Sequence, residues 1–436
     1  MTTWRWADLS ALAKPPAPVA AGDPFAYGVP VCSDSGEFDT SGCPILIARV
    51  VFRGLIGATE GDVYELNLDG QWYCNDLCAP NALRGGLPAT YEDPTAYVSF
   101  NTGNGVATVN YTATSSPVQL SLSEGGWSYT DLTAGIKPPA WPAADRGFGY
   151  WDSYNNVDRV IYLGTPPNDH EIYELSRKQN QSSWECNNLL TNDRSEPPAP
   201  PAGSNPFGYL YDGVPRVIYT GTDGNVYELH PEPFWKWNNL LQASGGAPKA
   251  VSAPYAYAPD IARVIYADAA GQIIELSLES SGWKWNNLST NNKSQPPAPA
   301  AVSSPFGYAT WDNTLRVIYR GNNGHIYELH SDKATNYFWA WADLLAIANA
   351  TSPTQVAAGA PLGMKSATAS LGWFIGEPIT ISANWRCTDP SQCQLPASIA
   401  PTLADASGPQ KRWRSTRPAA SRSSMRRLRS PEEMWA

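Results

Sequence analysis

Apolar residues in this chain fall in short runs, each closed by Gly, Asn, Asp or Pro, and one such phrase recurs in order: Arg216-Val-Ile-Tyr219, Gly221-Thr-Asp-Gly224, Tyr227-Glu-Leu229, Trp235-Lys-Trp-Asn-Asn-Leu240. Copies begin at Arg159, Arg263 and Arg316, and Arg49 opens a longer version. Runs this short, rich in Val, Ile, Tyr and Trp, predict strands rather than helices. Asp-Gly in one copy and Asn323-Gly324 in another supply the positive φ of a tight hairpin, so the strands on either side are antiparallel neighbours. Each unit opens on an aromatic strand such as Pro206-Phe-Gly-Tyr209 or Pro305-Phe-Gly-Tyr308, and closes on a Pro/Ala-rich connector such as Pro197-Pro-Ala-Pro-Pro201, where proline ends the ladder.

Four short strands and a crossover, repeating at roughly fifty residues, predict an all-β propeller of four-stranded blades. The Trp strand occurs seven times, at Trp4, Trp72, Trp127, Trp184, Trp235, Trp283 and Trp339, and the first has no blade in front of it. An orphan N-terminal strand suits a ring in which it closes the last blade and removes an exposed edge. Seven blades are therefore expected, with six as the alternative, because no Arg-Val-Ile-Tyr strand comes after Gly359-Ala-Pro-Leu-Gly363. The propeller is expected to occupy residues 1–400.

Charge separates a tail from that body. From Pro409 onward the chain holds eight of its 30 Lys and Arg but two of its 40 Asp and Glu, leaving a formal −16 on the body. An acidic body argues against nucleic acid as partner. Residues 401–436, with Arg, Ser and Pro and no apolar period, are expected to form a disordered basic tail. No apolar run is long enough to span a bilayer. The start Met1-Thr-Thr-Trp-Arg-Trp6 lacks the apolar core of a secretory leader; cytosolic residence, unconventional release or a mature chain with its leader removed all fit. Among the seven cysteines, Cys32 with Cys43, Cys74 with Cys78, and Cys387 with Cys393 are spaced for local disulfides in an oxidising compartment, and Cys186 stands where other units carry Trp.

The candidate chemistry lies in the repeat itself. Arg216 and Glu228, Arg263 and Glu275, and Arg316 and Glu328 are each twelve positions apart, which across one hairpin brings the two side chains to similar height on neighbouring strands. Arg49 with Glu65 and Arg159 with Glu174 span longer loops; the second unit has Gln119 in place of Glu and no Arg. A purely structural salt bridge is one reading of these pairs. The Trp strand favours another: a guanidinium fork, a carboxylate and an indole face match the hydroxyls and apolar patch of a pyranose. The first Trp persists in the second unit without its Arg and Glu, so it also has a packing role, and the second aromatic varies: Trp237, Trp285 and Trp341, but Cys74, Tyr129 and Cys186.

In this order the motifs resemble the blades of the fungal fucose-specific lectins, six-bladed propellers that bind L-fucose between adjacent blades, and are also similar to bacterial seven-bladed lectins. The resemblance covers roughly residues 1–350. It implies a multivalent lectin for fucosylated glycans, with no cofactor, whose sugar-binding residues are Arg216, Glu228, Trp235 and Trp237; Arg263, Glu275, Trp283 and Trp285; Arg316, Glu328, Trp339 and Trp341; Arg159, Glu174 and Trp184; and Arg49, Glu65 and Trp72. A protein-interaction scaffold with structural Arg–Glu pairs is the rival. Enzymes fit less well: the Asp-box turns of a sialidase are missing, the Glu residues recur equivalently where a glycosidase needs two distinct carboxylates, and His170, His230, His325 and His330 form no zinc-ligand pattern.

Overall fold

A computed structural model describes residues 9–31 and 45–347, apart from short internal stretches of which 80–89 is the longest, together with 361–363 and 380–381. Six antiparallel sheets succeed one another along the chain, each running outward from a central channel in sequence order. Blade 1 comprises Phe25–Val31, Ile45–Ile56, Thr59–Asp69 and Gln71–Asp76, with Val19–Ala20 added beside Ile45–Ile56. Blade 2 is Thr95–Ser99, Val106–Ala113, Ser116–Ser123 and Gly126–Asp131, and blade 3 is Phe148–Asp152, Val157–Leu163, Ile172–Lys178 and Glu185–Asn188. Blade 4 is Phe207–Tyr211, Val214–Thr220, Val226–Pro231 and Trp235–Asn239. Blade 5 is Tyr255–Tyr257, Arg263–Ala267, Ile273–Glu279 and Gly282–Asn287, and blade 6 is Phe306–Ala309, Leu315–Arg320, Ile326–Ser331 and Ala340–Asp343.

Among the described residues there are six blades and not the expected seven. Between the inner strands of blades 6 and 1 the described residues place only Leu362–Gly363, paired with Thr380–Ile381. No Arg-Val-Ile-Tyr sequence follows Leu344, and the described residues form six blades. The Trp4 strand, the 401–436 tail, Cys32, Cys43, Cys387 and Cys393 lie outside the described residues. The N-terminal segment from Leu9 onward packs on blade 1: a short helix, Leu9–Leu12, leads to Lys14, which bridges to Tyr73, and Leu9, Ala13 and Ala17 join the cluster around Phe52, Tyr64 and Trp72.

The aromatic inner strand explains itself once the blades stand side by side. Its first residue lines the channel, where Phe148, Phe207, Tyr255 and Phe306 form a collar with successive ring centroids 4.1 Å apart. Its second is small because the Tyr of the preceding blade lies against it: a Cβ on Gly208 would sit 2.2 Å from Tyr150, and one on Gly307 2.5 Å from Tyr257. Glycine permits this approach by lacking the atom. Between blades, the fully buried Tyr162, Tyr219, Tyr266 and Tyr319 and the Val-Ile pairs beside them fill the core, while Tyr219, Tyr266 and Tyr319 donate to connector carbonyls of Pro200, Pro248 and Pro299. Burying apolar area of this kind is the dominant stabilising term.

The disulfide that the Cys74–Cys78 spacing allows is not formed in this structure: both are free thiols and both are buried. Cys78 Sγ instead accepts from the Val63 amide at 3.2 Å, and burial pushes the thiols up, Cys74 to about 11 and Cys78 to about 12, which keeps them protonated and unreactive. Cys186, at a position that holds Trp in other units, sets its Sγ 3.9 Å from the Tyr162 hydroxyl.

Candidate functional site

Strand pleating decides which residues meet. In blade 4, Ile218 stands opposite Glu228, and Arg216, two residues back, shares its face. The Arg216 Nη1 donates to Glu228 Oε2 at 2.8 Å, and Tyr209, from the inner strand, donates its hydroxyl to Oε1 at 2.7 Å. The triple recurs. Arg263 donates to Glu275 at 3.1 Å with Tyr257 at 2.8 Å, and Arg316 to Glu328 at 2.5 Å with Tyr308 at 3.3 Å. In blade 1, Arg49 and Tyr27 both donate to Glu65 Oε1, at 2.7 and 2.8 Å. In blade 3, Arg159 binds Glu174 at 2.5 Å and also Asp152 at 3.0 Å, while the buried Tyr150 hydroxyl has no hydrogen-bond partner. The longer loops of blades 1 and 3 thus reach the same endpoint as the twelve-residue spacing.

These are nearly dry pairs: the Arg side chains keep 12–14 % of their exposure and the Glu side chains at most 5 %. Burial works against the Arg159 charge, but Glu174 beside it outweighs burial and holds the guanidinium above its ordinary range. Burial lifts the Glu275 carboxyl, with Arg263 and Tyr257 pulling it back. The inner tyrosines Tyr27, Tyr209, Tyr257 and Tyr308 are raised well above their usual value, first by burial and then by the carboxylate they face.

The tryptophans do not join the Arg and Glu of their own blade. Glu228 pairs with Asn238 while Leu229 pairs with Trp237, so Glu228 and Trp237 point to opposite faces; the same holds for Glu275 with Trp285 and Glu328 with Trp341. Trp235 and Trp237 pack toward blade 3, Trp283 toward blade 4, and Trp339 and Trp341 toward blade 5. Each cleft therefore draws its Arg and Glu from one blade and its indoles from the next: Arg159 and Glu174 face Trp235 and Trp237, Arg216 and Glu228 face Trp283 and Trp285, and Arg263 and Glu275 face Trp339 and Trp341. Arg49 and Glu65 face Trp127 and Tyr129. The described residues put no indole opposite Arg316 and Glu328; Trp72 is turned to the N-terminal segment and Trp184 toward blade 2.

The second tryptophan of the strand differs between blades. Trp237 and Trp341 donate Nε1 to the connector carbonyls of Pro197 and Pro296, both at 3.0 Å, which seats them as packing residues, whereas Trp285 is 42 % exposed. Sequence reasoning missed the inner tyrosines, whose recurrence in Phe-Gly-Tyr was the available signal. It also missed His230 and His330, two residues after the Glu in blades 4 and 6. Each sets Nδ1 3.7 Å from the carboxylate oxygen that the Arg already holds. Among the described residues no three His, Cys, Asp or Glu are grouped to hold a metal ion, and no helix is long and apolar enough to cross a membrane.

No protein-family model matches the chain, and no curated protein does. Solved structures resemble it loosely. AofleA from Arthrobotrys oligospora is 13 % identical over 74 % of this chain and 86 % of its own, with a TM-score of 0.45. The Aleuria aurantia lectin, described as a six-bladed β-propeller with a fucose recognition mode, is 12 % identical over 73 % and 94 %, also at 0.45. A putative 6-phosphogluconolactonase from Bacteroides uniformis matches at 11 % identity over 72 % and 83 %, at 0.43. Likenesses this distant carry no functional weight, and the chemistry of the clefts has to do so.

Proposed function

We propose that this propeller is a non-catalytic lectin whose inter-blade clefts take fucose-type sugars. The observation that carries the reading is the cleft between blades 4 and 5. Arg216 is held by Glu228 through Nη1 and keeps 14 % of its side chain exposed, while the facing wall presents the exposed indole of Trp285. A guanidinium held rigid by a buried carboxylate is a preorganised donor for a sugar hydroxyl, and an indole suits the apolar patch of a pyranose or the methyl of a deoxy sugar. The resemblance in motif order supports fucose as the sugar, and repetition of the cleft around the ring supports several weak sites acting together on a glycan-coated surface. Fucosylated glycoconjugates are the expected partners.

One observation favours the scaffold reading. In blades 4, 5 and 6 both Glu oxygens are already taken, by Arg and by Tyr, so the pair satisfies itself without a ligand. Calorimetry with methyl α-L-fucoside separates the two. Saturable binding lost selectively in Arg216→Ala supports the lectin; no binding of fucose, galactose or mannose leaves a propeller whose pairs are structural.

A further inference from the structure

The joint between blades 2 and 3 is built from the opposite wall. On blade 2, Thr108 and Gln119 occupy the register positions of the missing Arg and Glu. The charges reappear on blade 3: Asp158 and Arg177 are cross-strand partners on the face turned to blade 2. The matching positions in other blades are uncharged: Ala48 and Leu68, Pro215 and Pro231, Ala262 and Leu278, Leu315 and Ser331.

This pair reaches across the joint. Arg177 Nη2 donates to Asp158 Oδ2 at 2.7 Å and to Gln119 Oε1 at 3.3 Å. Tyr97, which elsewhere would serve a Glu on its own blade, donates to Asp158 Oδ1 at 3.1 Å and accepts from Gln119 at 3.1 Å. The Arg177 guanidinium lies 4.6 Å over the Trp184 ring, covering the indole that faces this cleft. Above them the hairpin of blade 3 is clasped to blade 2: the Asn180 amide donates to Asn101 Oδ1 at 2.8 Å, and Gln179 Nε2 to the Phe100 carbonyl at 3.2 Å.

We propose that Asp158 and Arg177 are a built-in occupant of this cleft. With Thr108 and Gln119 standing where other blades carry Arg and Glu, and the Arg177 guanidinium filling the space over Trp184, the joint between blades 2 and 3 binds no sugar. The sugar half of this statement rests on the lectin reading; the occupancy half does not.

Arg177→Ala, titrated with methylguanidinium as a probe of the vacated space, tests the occupancy. The expected result is a melting temperature lowered by several degrees and largely restored by millimolar methylguanidinium, with a change in Trp fluorescence that is lost in Arg177→Ala/Trp184→Leu; wild type shows neither response. Equal effects of the probe on wild type and variant would overturn it. Should Arg177→Ala not fold, crystals of wild type soaked with methyl α-L-fucoside decide: sugar stacked on Trp184 refutes the proposal, and sugar at Trp285 with Trp184 still covered by Arg177 supports it. If the probe restores Arg177→Ala while fucoside binds nowhere, the occupant stands and the lectin reading falls.

Discussion

Removing the Glu228 carboxylate is the sharpest probe of what joins a blade's inner strands. Glu228 is buried and accepts from Arg216 at 2.8 Å and Tyr209 at 2.7 Å. Glu228→Ala leaves a guanidinium with only 14 % of its side chain exposed, and a buried hydroxyl, both without their acceptor. Breaking a buried ion pair from one side costs about 3–5 kcal/mol, and the residual access of Arg216 to water moves the expectation to the lower end, about 3 kcal/mol. Glu228→Gln retains an oxygen acceptor and is expected to lose less than half of that. Replacing both partners, as Arg216→Met/Glu228→Leu, removes the stranded charge and is expected to recover most of the stability. Urea unfolding followed by Trp fluorescence reads all three as shifts in midpoint. An unchanged midpoint in Glu228→Ala, or a double variant no better than the single, would refute the reasoning.

The two tryptophans of blade 5 are expected to separate: Trp285→Ala, at an exposed ring, should weaken fucoside binding at one cleft with little change in melting, whereas Trp283→Ala, 7 % exposed, should cost about 3–5 kcal/mol in the same urea assay. Gly208→Val places a Cβ 2.2 Å from the Tyr150 ring and is expected to destabilise by about 1–3 kcal/mol through overpacking, measured by midpoint shift. Burial holds His230 below its ordinary value against the pull of Glu228, so the unfolded chain takes up this proton first. Stability is then lost as pH falls below about 6.5 and the loss levels off below the folded value; melting curves of wild type and His230→Gln should converge toward acid pH, and parallel curves would exclude the contribution.

Much of the fold was legible because its signals are local. A hairpin turn and its flanking strands are set by neighbouring residues, so Gly221-Thr-Asp-Gly224 and the strands around it could be read directly, as could the Arg216 to Glu228 spacing that delivers a contact. Blade number was less legible, since a lone Trp strand shows that a blade edge exists and leaves open what it pairs with. Cys74 and Cys78 illustrate the same limit: a spacing of four permits a disulfide, and the strand Gln71–Asp76 with the turn after it turns Cys78 toward the Val63 amide instead.

Residue order by itself determined the four-stranded unit, its repetition, and the pairing of Arg with Glu, because each depends on strand period and turn chemistry within one unit. Only the tertiary structure decided which groups share a cleft. Adjacent residues on a strand point to opposite faces, and the two faces of a blade belong to different clefts, so Trp237 serves Arg159 while Trp285 serves Arg216. The same geometry lets blade 3 supply Asp158 and Arg177 where blade 2 has lost its own charges, an exchange between units that no repeat pattern within one unit records.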